Sequence, residues 1–129
     1  MTDKERKDIV VYRLEKANNT LLEVELLLEN EMHIAAINRL YYACFYAVTA
    51  ILVHNKIGSE THSGVRQMLG LHFVKTGLIK PELGKFYSQL FNKRQSGDYD
   101  DFVEYSKENI VELMPSAKKL IKAIEKLIA

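Results

Sequence analysis

Residues 32–55 read MHIAAINRLYYACFYAVTAILVHN, and this stretch decides the fold. Read as a helix, it is apolar nearly all round, from Ile34 through Leu52. A helix with no wet side belongs in the middle of a bundle, covered by others. Asn38 and Arg39 are conspicuous in that context, because a guanidinium there needs a partner. Leaving it buried and unpaired would cost about 3–5 kcal/mol. The reading of the residues is a buried Arg39–carboxylate pair that fixes helix docking, with Asp98 the candidate acid. Tyr41, Tyr42 and Tyr46 read as core residues whose hydroxyls are hydrogen-bonded.

The covering helices follow from periodicity. Val10, Leu14, Ala17, Leu21, Val24 and Leu28 recur at alternating steps of four and three, which predicts a first helix over about residues 4–29. The central helix is expected to end at Gly58, with Ser59 or Thr61 capping the next. A third helix is expected over about residues 63–75 and stops at Gly77. Pro81 suits the first turn of a fourth, which carries Leu83, Phe86, Tyr87, Leu90 and Phe91 and is expected to stop at Gly97. The stripe Ile110, Leu113, Ala117, Leu120, Ile124 and Leu127 predicts a fifth, starting between Asp100 and Ser106. Pro115 lies inside it and is expected to kink or divide it. No window alternates with period two, so no strand is expected. The fold class is all-α, an up-and-down bundle of three long and two short helices.

The chain has 129 residues, which fits one domain, residues 1–129. Apolar residues make up 47% and charged residues 27%, a globular rather than a disordered composition. The single cysteine, Cys44, lies in the apolar run and reads as a buried reduced thiol. With no intrachain disulfide available, a cytoplasmic location is expected. The charged start of the chain does not read as a signal peptide, and the apolar run around residues 40–53 is interrupted by Thr49 and short for a bilayer.

A net charge of +1 argues against a protein built to sit permanently on DNA. The distribution says more. Residues 62–97 hold six cations and one anion, a balance of +5, whereas residues 98–113 hold six anions and one cation, a balance of −5. Two explanations stand side by side. One is complementarity with helix dipoles, acids at the start of one helix and Lys93 and Arg94 at the end of another. The other is a basic surface for phosphate, flanked by acids that pair with it.

Motif chemistry is sparse. There is no phosphate-binding glycine loop, zinc spacing or nucleophile elbow, and the acids Asp98, Asp100 and Asp101 match no calcium loop. The sequence calls for no cofactor and no metal. Arg94-Gln-Ser-Gly-Asp98-Tyr99 is the most suggestive stretch. Arg94 continues the buried stripe Leu83, Tyr87, Leu90, so it is expected to leave the fourth helix on its core-facing side. With Tyr99 just past the turn it makes a phosphate clamp beside a hydroxyl. The alternative is that Arg94 pairs with Asp98 or Asp101 and caps the helix. Thr61-His62-Ser63-Gly64 opens the third helix, and reads either as plain N-capping or as an anion site.

Taken together, Asn38-Arg39-x-Tyr41-Tyr42-Ala43, then His62-x-Gly64, then Arg94 with Asp98-Tyr99, then Ala117 in the last stripe, resemble a HEPN domain, of the higher-eukaryote and prokaryote nucleotide-binding family. The similarity covers about residues 10–127. The resemblance implies a helical bundle that usually dimerises. It implies frequent pairing with a small nucleotidyltransferase in toxin–antitoxin-type systems, and in many members metal-independent RNA cleavage. In those members an arginine is followed after four to six residues by a histidine. Here Arg94 is followed by Tyr99 instead, and no histidine occurs after His72. A tyrosine, with an ordinary pKa of about 10, is a poor base at neutral pH.

Three functional expectations follow. The first is a dimeric nucleotide- or RNA-phosphate-binding protein that partners a nucleotidyltransferase, with Asn38, Arg39, Tyr42, Arg94, Asp98 and Tyr99 at the ligand. The second is an endoribonuclease in which Arg94 and Tyr99 lie near the scissile phosphate and His62 supplies proton transfer. The third is a non-catalytic interaction module. No membrane contact is expected.

Overall fold

The computed structural model describes residues 1–129, and all of its regular structure is helical. The elements are α1 (Asp3–Glu29), α2 (His33–His54), α3 (His62–Leu69), a single π-helical turn (Gly70–Val74), α4 (Pro81–Tyr99) and α5 (Lys107–Ile128). One apolar core joins them, and α2 runs through it with α1, α3, α4 and α5 packed around it. Its alanines at 36, 43, 47 and 50 are fully buried, which lets neighbouring backbones approach closely. At 22 residues α2 is long and apolar enough to cross a bilayer, but 61% of its most apolar window is covered by the other helices. Its apolar surface is therefore satisfied within the bundle. Cys44 is buried there, and burial pushes its thiol up to about 12, so it stays protonated.

Local chemistry fixes the ends. α1 and α2 both close in Schellman motifs, with Glu31 (φ 58°) and Lys56 (φ 60°) in the left-handed conformation. In the first, the Met32 N–H donates to Leu27 and the Glu31 N–H to Leu28; in the second, Ile57 and Lys56 donate to Leu52 and Val53. Gly58 therefore does not end α2, contrary to expectation; the chain turns earlier, on a lysine. Thr61 does cap α3, its hydroxyl accepting from the Gly64 N–H at 2.9 Å. A Cβ on Gly64 would lie 2.8 Å from that hydroxyl, so the glycine makes room for the cap. The expected third helix widens after Leu69 into the π turn, where the Lys75 N–H reaches the Gly70 carbonyl. Ser106 and Asn109 form a reciprocal capping box at the start of α5. Pro115 does not divide α5, which runs unbroken past it with the proline ring on its exposed side.

The largest departure is at Gly97. It does not stop α4, which continues to Tyr99, so Asp98 and Tyr99 belong to its last turn. Asp98 and Asp100 thus sit at a helix C-terminus, where the dipole disfavours them, and no base lies in that last turn, so dipole matching holds only for Glu108 in the first turn of α5.

The two α4 glycines should respond oppositely to alanine. A Cβ on Gly84 would lie 2.7 Å from Val74 Cγ2, whereas one on Gly97 meets only ordinary contacts, the nearest 3.5 Å from Tyr105. Gly97→Ala is expected to stabilise by about 0.4–1 kcal/mol through helix propensity and a less disordered unfolded chain. Gly84→Ala is expected to destabilise by about 1–3 kcal/mol through overpacking. Thermal unfolding of both variants checks this, and a stabilised Gly84→Ala would contradict the packing.

Candidate functional site

The N-terminal half of α2 presents Asn38, Tyr41 and Tyr42, and α3 and α4 close over them. Arg94 leaves α4 on its core side, as its stripe requires, and its side chain is only 11% exposed. One guanidinium nitrogen, Nη2, donates to the Tyr42 hydroxyl at 3.0 Å. The guanidinium carbon lies 5.5 Å from the Tyr41 ring centre, 5.3 Å from that of Tyr42 and 5.9 Å from that of Tyr99. Such cation–π contacts favour a desolvated guanidinium without neutralising it. Asp98, one turn on, places Oδ2 3.1 Å from Arg94 Nε. That oxygen accepts an aligned hydrogen bond from Asn38 Nδ2 at 3.0 Å, whereas the buried Arg94 Nε–H is aligned with no acceptor. The pair therefore attracts by charge, and of the guanidinium nitrogens only Nη1 is engaged by no protein group.

His62 approaches the same tyrosines from α3. Its Nδ1 is 2.8 Å from the Tyr41 hydroxyl, and its ring stacks on Phe45 with centroids 4.4 Å apart. The Tyr87 hydroxyl lies 3.5 Å behind that of Tyr41 and donates to it, so the Tyr41 hydroxyl stands between Tyr87 and the imidazole. Burial, and then the Arg94 charge, hold His62 below its ordinary pKa of 6.5. Burial raises the Tyr41 phenol and raises that of Tyr87 well above the usual range, so both keep their protons. At neutral pH the site thus holds a neutral imidazole, anchored through Nδ1, beside a fixed positive charge. Nothing in the protein bonds its Nε2. Thr61, by contrast, uses its hydroxyl on the α3 cap rather than facing a ligand.

Of the residues singled out from sequence, Asn38, Tyr42, Arg94 and Asp98 come together directly, and His62 joins them through Tyr41. Tyr99 stands at the rim, 74% exposed. Arg39 behaves differently. It is not buried and does not pair with Asp98; its Nε bonds Glu23 Oε2 on α1 at 3.1 Å, with the two side chains 30% and 55% exposed. The helical twist turns Arg39 away from Asn38, so only the asparagine reaches Asp98. Sequence reasoning missed Arg66 and underused Tyr41. Arg66 follows His62 by one helical turn and lies 4.5 Å over the Phe91 ring, and none of the three ion pairs engages it. Its charge acts on both Tyr41 and Tyr87. Its i, i+4 spacing from His62 was the available signal.

Two outcomes are expected. Arg39→Ala should cost only about 0.2–1 kcal/mol in denaturant unfolding, the range for an exposed pair; a loss of several kcal/mol would mean that Arg39 is buried. His62 should titrate below 6.5 by NMR, and Arg94→Ala should raise that value part-way, since burial remains. Between the folded and ordinary pKa values the unfolded chain binds more protons, so stability rises with pH across that window. This contribution is complete above the ordinary value and is lost as pH falls through the folded one. A His62→Gln variant should lack that part of the acid sensitivity. A folded-state pKa at or above 6.5 would contradict the arrangement.

Comparison with known proteins gives a consistent result. The sequence matches the HEPN domain family over residues 10–127. A Thermotoga maritima protein named "UPF0332 protein" is 42% identical over 124 residues, covering 96% of this chain and 94% of the relative. Two Methanocaldococcus jannaschii proteins carry the names "Putative toxin MJ0142" and "Putative toxin MJ0605". The first is 38% identical over 74% of this chain and 65% of its own length, and the second 30% identical over 86% and 84%. With the match extending over nearly its whole length, this chain belongs to the HEPN domain family.

Proposed function

We propose that this protein binds the phosphate of RNA or of a nucleotide at Arg94, as the HEPN component of a toxin–antitoxin-type pair with a small nucleotidyltransferase. The observation that carries the reading is the Arg94 guanidinium, nearly buried among tyrosines, held by Tyr42 through Nη2 and by Asp98 at Nε, with Nη1 engaged by no protein group. A charged donor left free in so sheltered a place favours an arriving acceptor, and a phosphate oxygen is a suitable one. The toxin names of two relatives favour the biological setting. The working form is a cytoplasmic homodimer that turns two copies of Arg94 towards one groove.

A second reading, RNA cleavage without metal, is favoured by His62. With its proton on Nδ1 and donated to the Tyr41 oxygen, the neutral imidazole has a free Nε2 lone pair and suits a general base. It would take the proton of a ribose 2′-hydroxyl as that oxygen bonds to phosphorus. The bond to the 5′-oxygen then breaks, that oxygen is protonated by water, and a cyclic phosphate is left. Arg94 would balance the charge gathering on the phosphate oxygens. The usual motif position holds Tyr99, so the base comes from α3 instead.

The test is titration of labelled RNA against parent and variants at two salt concentrations. Arg94→Ala is expected to remain folded and lose at least tenfold in affinity. Arg94→Lys should recover little, since an ammonium lacks the planar fork. Affinity should fall with salt as counterions are released. Tyr99→Phe should cost about 0.5–1.5 kcal/mol as one lost hydrogen bond. In the cleavage reading, His62→Gln should abolish product formation with affinity nearly unchanged, because the group acts in the transition state. A folded Arg94→Ala protein that binds as the parent does would remove the site. Light scattering should give twice the 14.9 kDa of one chain.

A further inference from the structure

A cavity of about 360 Å³, with Phe45 in its wall, opens between α1, α2 and the start of α3. Its walls include Tyr12 of α1 and Tyr46 of α2, with Arg13 and Lys16 beside them. Tyr12 is 61% exposed, a large aromatic surface left to water. The Lys16 ammonium lies 4.6 Å from the Tyr46 ring centre and 5.8 Å from that of Tyr12, so it sits between the two walls. Neither Arg13 nor Lys16 belongs to any of the ion pairs of the chain. Ser59, Thr49 and Glu60 add hydroxyls and a carboxylate at the cavity edge.

From this arrangement we infer a nucleobase subsite: a base takes the place of the Lys16 ammonium between Tyr12 and Tyr46, and Lys16, swung aside, joins Arg13 on the phosphate of its ribose. Aromatic faces accept any base, and neighbouring cations hold the backbone, which is the pairing that single-stranded nucleic acid requires. The volume is that of a small-molecule site. Phe45 is common to both places, so the base lies one aromatic ring from the imidazole. The inference rests on the reading of RNA as the ligand, but it concerns a different set of side chains.

The test compares adenosine monophosphate with ribose 5-phosphate, which carries the same phosphate and no base, by calorimetric titration of the full chain. The parent is expected to prefer the nucleotide by about 5- to 150-fold, the range for one base stacked on an aromatic side chain. Tyr12→Ala, at an exposed position, should unfold at the parent's temperature and bring the two ligands within about twofold of each other. Tyr12→Phe, which keeps the ring, should retain the preference. Equal binding of the two ligands by the parent, or no binding of either at millimolar concentration, overturns the inference. So does a Tyr12→Ala protein that keeps the parent's ratio. Arg94→Ala separates the two proposals. It should weaken RNA binding while leaving the nucleotide-to-sugar-phosphate ratio unchanged, and a change in that ratio would place the base at Arg94 rather than at Tyr12.

Discussion

Everything in this fold answers to α2. Its buried residues, from Ala36 and Ile37 to Ile51 and Leu52, cover most of its circumference. One stripe, through Asn38, Tyr42, Phe45 and Thr49, stays half-buried, contrary to the expectation of no wet side. Each fully buried leucine or isoleucine is worth about 1.5–3 kcal/mol, so the helix is strongly favoured inside. The alanines let α1 lie close along it, while α4 and α5 cover other sides. That burial imposes a second condition. Any polar atom on α2 must find a partner, because an unsatisfied group there is costly.

The candidate site is where this condition is met. Asn38, Tyr41 and Tyr42 occupy successive faces of one stretch of α2, and each finds its partner on another helix: Asp98, His62 and Arg94. The same contacts that satisfy the core thus gather an arginine, an imidazole and three hydroxyl or carboxyl groups in one place. Asp98 shows how strongly tertiary contacts act here. It sits in the last turn of α4, against the helix dipole, and is retained beside the Arg94 charge and the Asn38 amide. His62 is kept neutral by burial and by Arg94, while Arg66, one turn further along α3, adds a second positive charge near the tyrosines.

Membership of the HEPN family gives this geometry a setting, and the chain departs from the family's ribonuclease motif in a specific way. The position after Arg94 where many members carry histidine holds Tyr99, which lies at the rim with its ring beside the guanidinium. The imidazole of this chain reaches the same pair of tyrosines from α3. Arginine and histidine therefore meet through Tyr41 and Tyr42 rather than along one helix, and the phenols set the separation between them.

Periodicity alone determined that the chain is a helical bundle, which helix is central, and the inward direction of Arg94, because burial of an apolar stripe leaves few arrangements. Local residue chemistry indicated a cap at Ser59 or Thr61 and the Pro81 start, which depend on neighbouring residues only, and the fold selected Thr61. Helix ends set by competition were not legible. Gly97 has no local reason to be helical, yet α4 runs through it to Tyr99, where Asp98 meets Asn38 of α2. The partner of Arg39 was equally hidden, since adjacent residues on α2 face different neighbours, and only the packing of α1 brings Glu23 to one while α4 brings Asp98 to the other. Sequence spacing gives the angle at which a side chain leaves its own helix. Which helix stands opposite is decided by how the apolar stripes fit together, and so it exists only in the folded molecule.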